Sequence, residues 1–504
     1  MSVLGDILGK GRRVALHHPW PRTIVDSEGW ESASFLAADG RCTLLGLWGE
    51  PDAVHMALAL PDPGEIVVVS LPCPDGTFPS VGRHHPSAIR LERTIADLFG
   101  LRPQGAVDTR PWLDHGRWGK RHPLGSTPAD AGAGEAYAFL PAEGESLHQV
   151  PVGPVHAGII EPGHFRFTAH GETVVRLEKR LGYAHKGIES LMTGAEIARA
   201  AKLAGRVSGD STVAYAVAFA QAVEAALAVD APPRARWLRA LMIELERLAN
   251  HLGDIGAICN DASFAIMLAH CGLLRERVLR VADAAFGHRL MRDRVMPGGV
   301  AADLDNAGID AIQVLIGEIR NRFPTLVELS DRTPSLQDRT VAAGRLSATL
   351  ARQFGAGGFV GRASGRHFDA RTLPGPLPYD QLDFEVVTRA EGDVNARVWV
   401  RIDEVTQSLA LIEQILRRLP GGTTQAALQD PNEQREGIAV VEGFRGDIMV
   451  WLRIGADARI ARCHLRDPSW FQWPLLEAAI EGNIVADFPL CNKSFNCSYS
   501  GHDL

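Results

Sequence analysis

Acidic, basic and imidazole side chains lie close together on one segment near the middle of the chain. Glu244 and Arg247 are three positions apart, and Arg247 and His251 are four apart, so a helix would place all three on one face. Glu246 adds a second carboxylate to the segment. The spacing by itself favours a salt-bridged face that is exposed to solvent or pairs with another subunit.

A second group of polar residues precedes the most apolar segment of the chain, the predicted helix Thr212–Ala228. The dipole of a helix favours a negative charge at its N-terminus, where Asp210 stands. Ser208 and Ser211 are of the residue type that caps helices. Capping is one interpretation of all three. The other is that Asp210 faces a cavity, where, with Arg206 nearby, it would carry protons or bind a polar ligand.

The cysteines are few and have no regular spacing. Their odd number does not suit a secreted disulfide framework and indicates a reducing compartment. Free cysteines readily occupy small core positions, so we expect most of them to be buried core residues. The seven are Cys42, Cys73, Cys259, Cys271, Cys463, Cys491 and Cys497.

Length and charge limit the class of protein. The 504 residues suggest about two to four domains, and 46% hydrophobic residues are enough to build real cores. The net charge of −8 lacks the basic character of a nucleic-acid binder, so no nucleic-acid partner is expected. No export signal or membrane span is predicted, because the apolar segment 211–229 carries Gln221 and Glu224.

The pattern of elements predicts an α+β protein. Residues 1–122 are predicted to form a small α+β domain, with a strand at Glu65–Leu71 and a helix at Pro86–Phe99. Residues 123–148 are rich in Gly, Ala, Pro and Ser and are predicted to be a linker. Residues 149–504 are predicted to form a large, mainly helical bundle with peripheral β-structure.

Within the large domain, the apolar periodicity gives the bounds of further elements. The predicted strands are Phe165–Ala169, Thr173–Leu177, Gly446–Ile454 and Ile460–Leu465. Besides Thr212–Ala228, the predicted helices are Glu189–Leu203, Ala235–Ile258, Cys271–Phe286, Asn306–Arg322, Arg339–Phe354, Asp403–Leu419 and Trp473–Glu481.

Several motifs follow one another along the large domain. They are GPVH at 153–156, EPGHFRF at 161–167, RLGYAHKGIE at 180–189, ELER at 244–247, RVMPGGV at 294–300, EGFRG at 442–446 and the run 487–504. Together they resemble the large-subunit family that contains the energy-converting, membrane-bound nickel–iron hydrogenases and the quinone-site D polypeptide of respiratory complex I. Upstream, ERTIADLFG at 92–100 resembles the signature of the complex I C polypeptide, although Thr94 stands where an acidic residue is usual. The resemblance thus covers nearly the whole chain, as a fused C–D arrangement like that of the large subunit of formate hydrogenlyase.

The resemblance implies a nickel–iron centre held by two Cys-x-x-Cys pairs, and this chain departs from that pattern. Ser208 and Ser211 stand at the first pair, and Cys497 and Ser500 stand at the second. Soft, redox-active metals prefer thiolates, which hydroxyls do not replace. Cys491 is off the family spacing, and a second thiol would still not rebuild the site. We therefore expect no nickel–iron centre.

The complex I relatives use the same cleft for a quinone headgroup, which needs hydrogen-bond donors. His156 matches the family's histidine-bearing loop and is the first candidate, since imidazole titrates near neutral pH. His164 and His185 are second candidates. The family's quinone-site tyrosine falls on Gly209 in this chain, and Tyr215, one to two turns further along, is the predicted substitute.

The resemblance also implies that Arg445 approaches this cleft. A buried guanidinium needs a counter-charge, and Asp210 and Glu442 are the predicted partners. For the face that carries Glu244 and Arg247, the resemblance adds a second interpretation, a relay of protons or conformational change toward a membrane arm.

The resemblance implies a peripheral subunit at the cytoplasmic face of the inner membrane. A small partner subunit would hold an iron–sulfur cluster and supply electrons to a quinone-like or other small acceptor. Antiporter-like membrane subunits would couple this step to ion movement. A hydrogenase with altered ligands and a non-catalytic scaffold are the alternatives. We predict that His156, Asp210, Tyr215, Arg206 and Arg445 carry the chemistry.

Overall fold

Short apolar runs in the first part of the chain form a five-stranded sheet. The computed structural model of the protein describes residues 5, 9, 11–60, 64–130, 136–156, 158 and 160–504. The first strands are β1 (Arg12–Val14), β2 (His17–His18), β3 (Arg22–Ile24), β4 (Thr43–Glu50), β5 (Ala53–Ala59), β6 (Ile66–Pro72), β7 (Thr77–Pro79) and β8 (Arg102–Gln104). The sheet order is β1-β3-β6-β5-β4, in which only the β3–β6 pair is parallel. β7 and β8 form a separate parallel pair.

Two helices pack against this sheet. The first, α1 (Ser27–Ala38), begins at Asp26, whose carboxylate accepts a hydrogen bond from the Gly29 amide at 2.9 Å. The second, α2 (Ile89–Phe99), ends at Gly100, whose positive φ of 76° suits glycine at a helix C-terminus.

Further β-structure follows in the second part of the chain. Its strands are β9 (Lys120–Arg121), β10 (Ala129–Asp130), β11 (Leu147–Val152), β12 (His164–His170), β13 (Thr173–Arg180), β14 (Val295–Met296), β15 (Gly299–Val300), β16 (Arg435–Glu442), β17 (Asp447–Ile454) and β18 (Ile460–Arg466). β11, β12 and β13 form an antiparallel sheet, and the order of the largest sheet in this part is β18-β17-β16-β2. β9 pairs with β10 and β14 with β15.

Helices make up most of the large domain. They are α3 (Ile188–Met192), α4 (Ile197–Ala204), α5 (Thr212–Leu227), α6 (Pro233–Asp261), α7 (Ala265–Phe286), α8 (Asn306–Asp331), α9 (Pro334–Thr340), α10 (Ala348–Gln353), α11 (Gly358–Ala363), α12 (Val394–Arg418), α13 (Ser469–Ile480), α14 (Phe488–Phe495) and α15 (Tyr499–Asp503). None of the helices in the described ranges is both long and apolar enough to cross a bilayer.

The alanine-rich helix α5 lies at the centre of the large domain. Its residues are buried nearly all round, as its lack of a polar face predicts. The small side chains let it approach β16 closely. A Cβ at Gly437 of β16 would lie only 1.9 Å from the Ala222 carbonyl oxygen, so this contact requires glycine. α5 is thereby fixed against the sheet that contains β16.

The predicted α+β class is confirmed, as are most of the long elements. Two predicted helices are wrong because each contains a break. Glu189–Leu203 is interrupted at Gly194, whose φ is 74°, and is divided into α3 and α4. Arg339–Phe354 is divided into α9 and α10 by a loop in which Ala342 and Gly344 have φ of 64° and 57°. Apolar periodicity on both sides of a short loop conceals such breaks.

The two predicted domains share both β-structure and core. β2, from the first domain, pairs in parallel with β16 of the second. One apolar cluster contains Trp30 and Trp112 of the first domain together with Phe165, Trp470 and Trp473 of the second. The proposed division at residues 122 and 148 stays a prediction.

Candidate functional site

Polar side chains from three separate segments meet at the start of α5. Ser208 Oγ lies 2.9 Å from Ser498 Oγ, just before α15, and 2.7 Å from Asp210 Oδ1. Arg445, from the turn between β16 and β17, donates from Nη2 to Asp210 Oδ2 at 2.5 Å and from Nη1 to Ser211 Oγ at 3.2 Å. We call these five residues the serine–arginine cluster. They join the two segments that match the family's thiolate positions.

The backbone of the C-terminal segment holds Arg445 in place. Arg445 Nε donates to the carbonyl oxygen of Asn496 at 2.5 Å, and its guanidinium lies 4.5 Å from the centre of the Phe444 ring. Ser498 is the N-cap of α15, where its Oγ accepts from the Gly501 amide at 2.9 Å. Both ends of the cluster are therefore positioned by helix termini and a tight turn.

The ion pair of the cluster has one buried and one partly open member. The Arg445 side chain is 3% exposed and that of Asp210 is 35% exposed. Burial opposes the charge on Asp210, but Arg445 and the hydroxyls of Ser208 and Ser211 outweigh it and lower the pKa of the carboxyl. Asp210 is thus a fixed counter-ion, and of the two predicted partners of Arg445 it is the one that the arginine contacts.

Tyr215 lies one turn into α5 and is fully buried. Its hydroxyl donates to Asp467 Oδ2 at 2.6 Å, while Asp467 Oδ1 accepts from the Ser469 amide at 2.8 Å. Burial and then Asp467 raise the pKa of Tyr215 well above its usual value. Tyr215 is therefore a neutral hydrogen-bond donor that already has an acceptor.

The cysteines near the cluster are buried thiols. Cys497 Sγ lies 4.0 Å from Gln472 Oε1, and a Cβ at Gly344 would approach Cys491 Sγ to 2.4 Å. Burial raises the pKa of Cys497 to about 12 and that of Cys491 to about 11, so both are protonated. All seven cysteines of the chain are free and buried, which confirms the prediction of core residues.

The donor set at the four family positions does not fit a nickel–iron centre. Ser208 and Ser211 direct their hydroxyls to Asp210 and Arg445, and Cys497 is the one thiol of the set. Ser500 contributes backbone contacts, including its amide to Glu161 Oε2 at 3.1 Å. In the described ranges, no group of three or more His, Cys, Asp or Glu is arranged as metal ligands. Hydroxyls and a cation do not bind soft metals.

The loop before β12 carries His156, and His164 is the first residue of β12. His156 Nε2 lies 2.8 Å from the Gly163 carbonyl oxygen, and its ring centre is 5.4 Å from that of Phe165. His164 Nδ1 lies 3.3 Å from the Gly153 carbonyl oxygen, and burial lowers the pKa of its imidazole. Through the contact between Glu161 and the Ser500 amide, this loop touches the start of α15. His156 therefore lies on the loop that contacts the start of α15, and no hydrogen bond joins it to the cluster in the described ranges.

Two other predicted site residues lie outside the cluster. Arg206 pairs with Asp293, with an Nη2–Oδ2 distance of 2.7 Å, and both side chains are more than a third exposed. Arg206 and Asp210 share no hydrogen bond or ion pair in the described ranges, since the Arg206 side chain pairs with Asp293. His185 Nδ1 lies 2.6 Å from the Asp503 carbonyl oxygen.

A glutamate of α6, to which the sequence assigns no role, accepts hydrogen bonds from the first amides of α5. Glu246 of α6 accepts from the amides of Val213 and Ala214, at 2.7 and 3.1 Å. Neither Ser208 nor Ser211 caps the helix with its side chain. The capping interpretation of these serines is wrong, because Glu246 takes the free amides and the hydroxyls turn to the ion pair. Burial raises the pKa of Glu246 to about 8.

The charged face of α6 is buried, so its interpretation as a solvated face is wrong. Glu244, Arg247 and His251 are fully buried. Arg247 Nε lies 3.3 Å from Glu244 Oε2, and His251 Nε2 lies 2.6 Å from Glu404 Oε2 on α12. Glu404 also pairs with Arg362 of α11 at 2.6 Å. We call these five residues the α6 network.

The α6 network contacts the turn that carries Arg445. Arg247 donates to the carbonyl oxygens of Glu442 and Gly443 at 2.9 and 3.1 Å. The carboxylate of Glu442 pairs with Arg362 at 2.8 Å and is not the partner of Arg445. A fully buried set of charges thus supports the position of the cluster from behind.

Sequence reasoning missed several members of this site. Ser498 and Asn496 lie between recognised positions, and neither the Oγ contacts of Ser498 nor the contact of the Asn496 carbonyl oxygen has a sequence signal. Glu404 could have been found, because Arg397, Arg401 and Glu404 are spaced by four and three residues and put charges on one face of α12. Arg362 lies on α11 and is not covered by this pattern.

Comparisons with known proteins match both parts of the chain. Residues 23–128 match the family model of the respiratory-chain NADH dehydrogenase 30 Kd subunit, and residues 261–435 match that of the 49 Kd subunit. The chain is 32% identical to formate hydrogenlyase subunit 5 of Escherichia coli strain K12, over 84% of this chain and 77% of the relative. It is 33% identical to the carbon monoxide-induced hydrogenase of Rhodospirillum rubrum, over 70% and 98%. It is 30% identical to the D polypeptide of the NADH-quinone oxidoreductase of Syntrophobacter fumaroxidans, over 69% and 94%.

Proposed function

Because the chain belongs to the family of large subunits that includes formate hydrogenlyase subunit 5 and the D polypeptide of NADH-quinone oxidoreductase, we propose that it serves in a membrane-associated oxidoreductase complex. In this proposal a small partner subunit holds an iron–sulfur cluster and delivers electrons to an acceptor in the cleft beside the serine–arginine cluster. Antiporter-like membrane subunits couple the reaction to ion translocation. The chain is peripheral, at the cytoplasmic face of the inner membrane.

The observation that carries the proposal is the ion pair of Arg445 and Asp210 between the two segments that match the family's thiolate positions. A buried guanidinium and serine hydroxyls suit an organic acceptor with oxygen atoms better than a soft metal. A fixed positive charge stabilises negative charge that develops on such an acceptor during reduction. We therefore propose that the site works without a nickel–iron centre and that the acceptor is a quinone or a similar carbonyl compound.

Histidine and tyrosine supply the remaining hydrogen-bond donors in this proposal. His156, on the loop beside the cluster, donates to one carbonyl oxygen of the acceptor, with His164 as the second candidate. Tyr215 is the donor on the other side, where it exchanges its present acceptor, Asp467, for the substrate oxygen. In this proposal, Arg206 lies at the outer edge of the acceptor site.

A second candidate function is a non-catalytic coupling subunit. It is favoured by the hydrogen bonds of Arg445, because all three of its guanidinium nitrogens already donate to atoms of the protein. In that case the contacts between the α6 network and the turn 442–446 transmit conformational change and no substrate binds.

Metal analysis and activity of the intact complex test these functions. We expect quinone reductase activity, no stoichiometric nickel, and at least tenfold slower reduction in His156→Ala, because a positioned proton donor contributes about 10²-fold or more. A stoichiometric nickel–iron centre with hydrogen uptake would overturn the proposal in favour of a hydrogenase. Unchanged activity in both His156→Ala and Asp210→Ala would favour the coupling subunit.

A further inference from the structure

Behind the serine–arginine cluster, α6 and α7 enclose a pocket. It has a volume of about 140 Å³. Leu245, Ala249, Val278 and Leu279 form apolar walls, and Gly209 and Arg289 border it where the chain is exposed. The pocket therefore extends from the surface to the residues at the start of α5.

The polar groups of this pocket include a set at its inner end. Glu246 and Asp210 line it together with Asn250. Asn250 Nδ2 donates to the carbonyl oxygen of Asp210 at 2.8 Å and to that of Glu246 at 2.9 Å. Arg275 of α7 also lines the pocket, and no hydrogen bond or ion pair to it is found in the described part of the chain. A pocket of this size with polar groups at its inner end has room for several waters.

Glu246 is suited to exchange protons with water in the pocket. Its carboxylate is held by two amides at the N-terminus of α5, which favours the charged form, whereas burial favours the neutral form. The balance raises the pKa of Glu246 to about 8, so both forms are accessible near neutral pH. The other charged groups around it are Asp210 before α5, Arg247 on α6, Arg275 on α7 and Arg289 after it.

We propose that this pocket is a proton-uptake path and that Glu246 is its relay, passing protons from solvent to the acceptor beside the serine–arginine cluster. The inference rests on the proposed function, since reduction of a carbonyl acceptor by two electrons takes up two protons. A proton from water binds a carboxylate oxygen of Glu246. It then leaves through water in the pocket toward Asp210, which lines the same pocket and belongs to the cluster, and on to the reduced acceptor. This restores the carboxylate of Glu246, and a second passage supplies the second proton.

Replacement of the relay in the intact complex is the first test. Glu246→Gln keeps an acceptor for the amides of α5 but cannot exchange a proton. We expect acceptor reduction to slow at least tenfold and to lose its dependence on pH near 8, while reduction of the iron–sulfur cluster keeps its rate. Glu328→Gln, on the exposed surface of α8, is the matched control and should leave both rates unchanged. A wild-type rate and pH profile in Glu246→Gln would overturn the relay.

A spectroscopic measurement on the full chain separates the relay from the proposed function. Infrared difference spectra should show a carboxylic acid band that titrates near pH 8, exchanges promptly in D₂O and is absent in Glu246→Gln. If this band appears although the complex has no quinone reductase activity, the proposed acceptor is wrong, but the connection of the Glu246 carboxyl to solvent still holds. Absence of the band, or no exchange, overturns the relay. If Glu246→Gln fails to fold, Val278→Phe fills the pocket with the carboxyl intact, and an unchanged D₂O exchange rate there overturns the path.

Discussion

The serine–arginine cluster and the α6 network both bury charge, but they do so in different ways. In the network, Glu404 meets Arg362 at 2.6 Å and His251 at 2.6 Å, and every member is at most 1% exposed. In the cluster, one ion pair has an Asp210 side chain that is 35% exposed. The shared carboxylate of the network has several partners and is closed to solvent, whereas the cluster carboxylate has one cationic partner and solvent beside it.

This difference gives the two regions different roles, a structural role for the α6 network and a chemical role for the serine–arginine cluster. Charges that are fully desolvated and multiply paired cannot leave their partners without a large cost, so they fix geometry. A pair with one member near solvent can rearrange when a ligand arrives. The network therefore holds the turn 442–446 in place, and the cluster is where the chain can respond to a substrate.

The largest effect is expected from a charge removed in the network. Glu404→Gln leaves Arg362 and Arg247 without their shared carboxylate in a dry interior. Breaking a buried pair in this way costs about 3–5 kcal/mol of unfolding free energy. Urea unfolding of the full chain measures it, and a loss below about 1 kcal/mol would mean that the network is hydrated.

The same change of carboxylate to amide in the cluster should cost less. Asp210→Asn removes the charged partner of Arg445, but the amide oxygen can still accept from the guanidinium, and the Asn496 carbonyl oxygen still accepts from Nε. We expect a loss of about 1 kcal/mol in unfolding free energy. In the intact complex, acceptor reduction should fall at least tenfold, because the altered charge lies at the proposed reaction site. A stability loss equal to that of Glu404→Gln would remove the distinction between the two regions.

The two regions should also differ in how their titratable groups make stability depend on pH, and His251 is the group to test in the network. Burial lowers the pKa of His251 below its ordinary value, although Glu404 opposes this. Above pH 6.5 both the folded and unfolded states are neutral at this residue. Below pH 6.5 the imidazole binds a proton in the unfolded chain but stays neutral in the folded chain. The free energy of unfolding therefore falls by about 1 kcal/mol per pH unit.

His251→Gln should remove this component. Thermal unfolding of the variant and the wild type between pH 7.5 and 5.5 measures the difference in slope. Equal slopes would show that the pKa of His251 is the same in the folded and unfolded chain. The ion pair of the cluster should contribute no such slope, since Arg445 lowers the pKa of Asp210 below its ordinary acidic value.

The sequence predicted which segments form the site better than it predicted the contacts between their side chains. The motifs placed Ser208, Ser211 and Cys497 in one cleft, and the start of α5 does meet the segment before α15. The partner of Arg445 was one of two candidates. What failed was the assignment of charges to surfaces. Glu244 and Arg247 were assigned to a solvated or intersubunit face because i,i+3 spacing describes exposed and buried ion pairs equally.

The reason lies in long-range pairing. The partners of the α6 face come from α11 and α12, more than 100 residues later, and no local pattern states that they pack there. Similarly, α3 and α4 were predicted as one helix because the break at Gly194 depends on a contact with β18, where the Gly194 amide donates to the Ile460 carbonyl oxygen at 2.7 Å. Local sequence determines element type, and tertiary contacts determine its limits.

The smallest effect is expected at Arg206, which the sequence placed beside Asp210 and the structure places on the surface. Its pair with Asp293 has both side chains more than a third exposed, and such pairs contribute at most about 1 kcal/mol. Arg206→Gln should therefore change unfolding free energy by less than about 1 kcal/mol and leave acceptor reduction within about twofold. Asp293→Asn is the matched control, because it breaks the same pair from the other side. If Arg206→Gln slows the reaction as Asp210→Asn does while Asp293→Asn does not, Arg206 exchanges its surface partner for the site during turnover, and the cluster then extends outward by one residue.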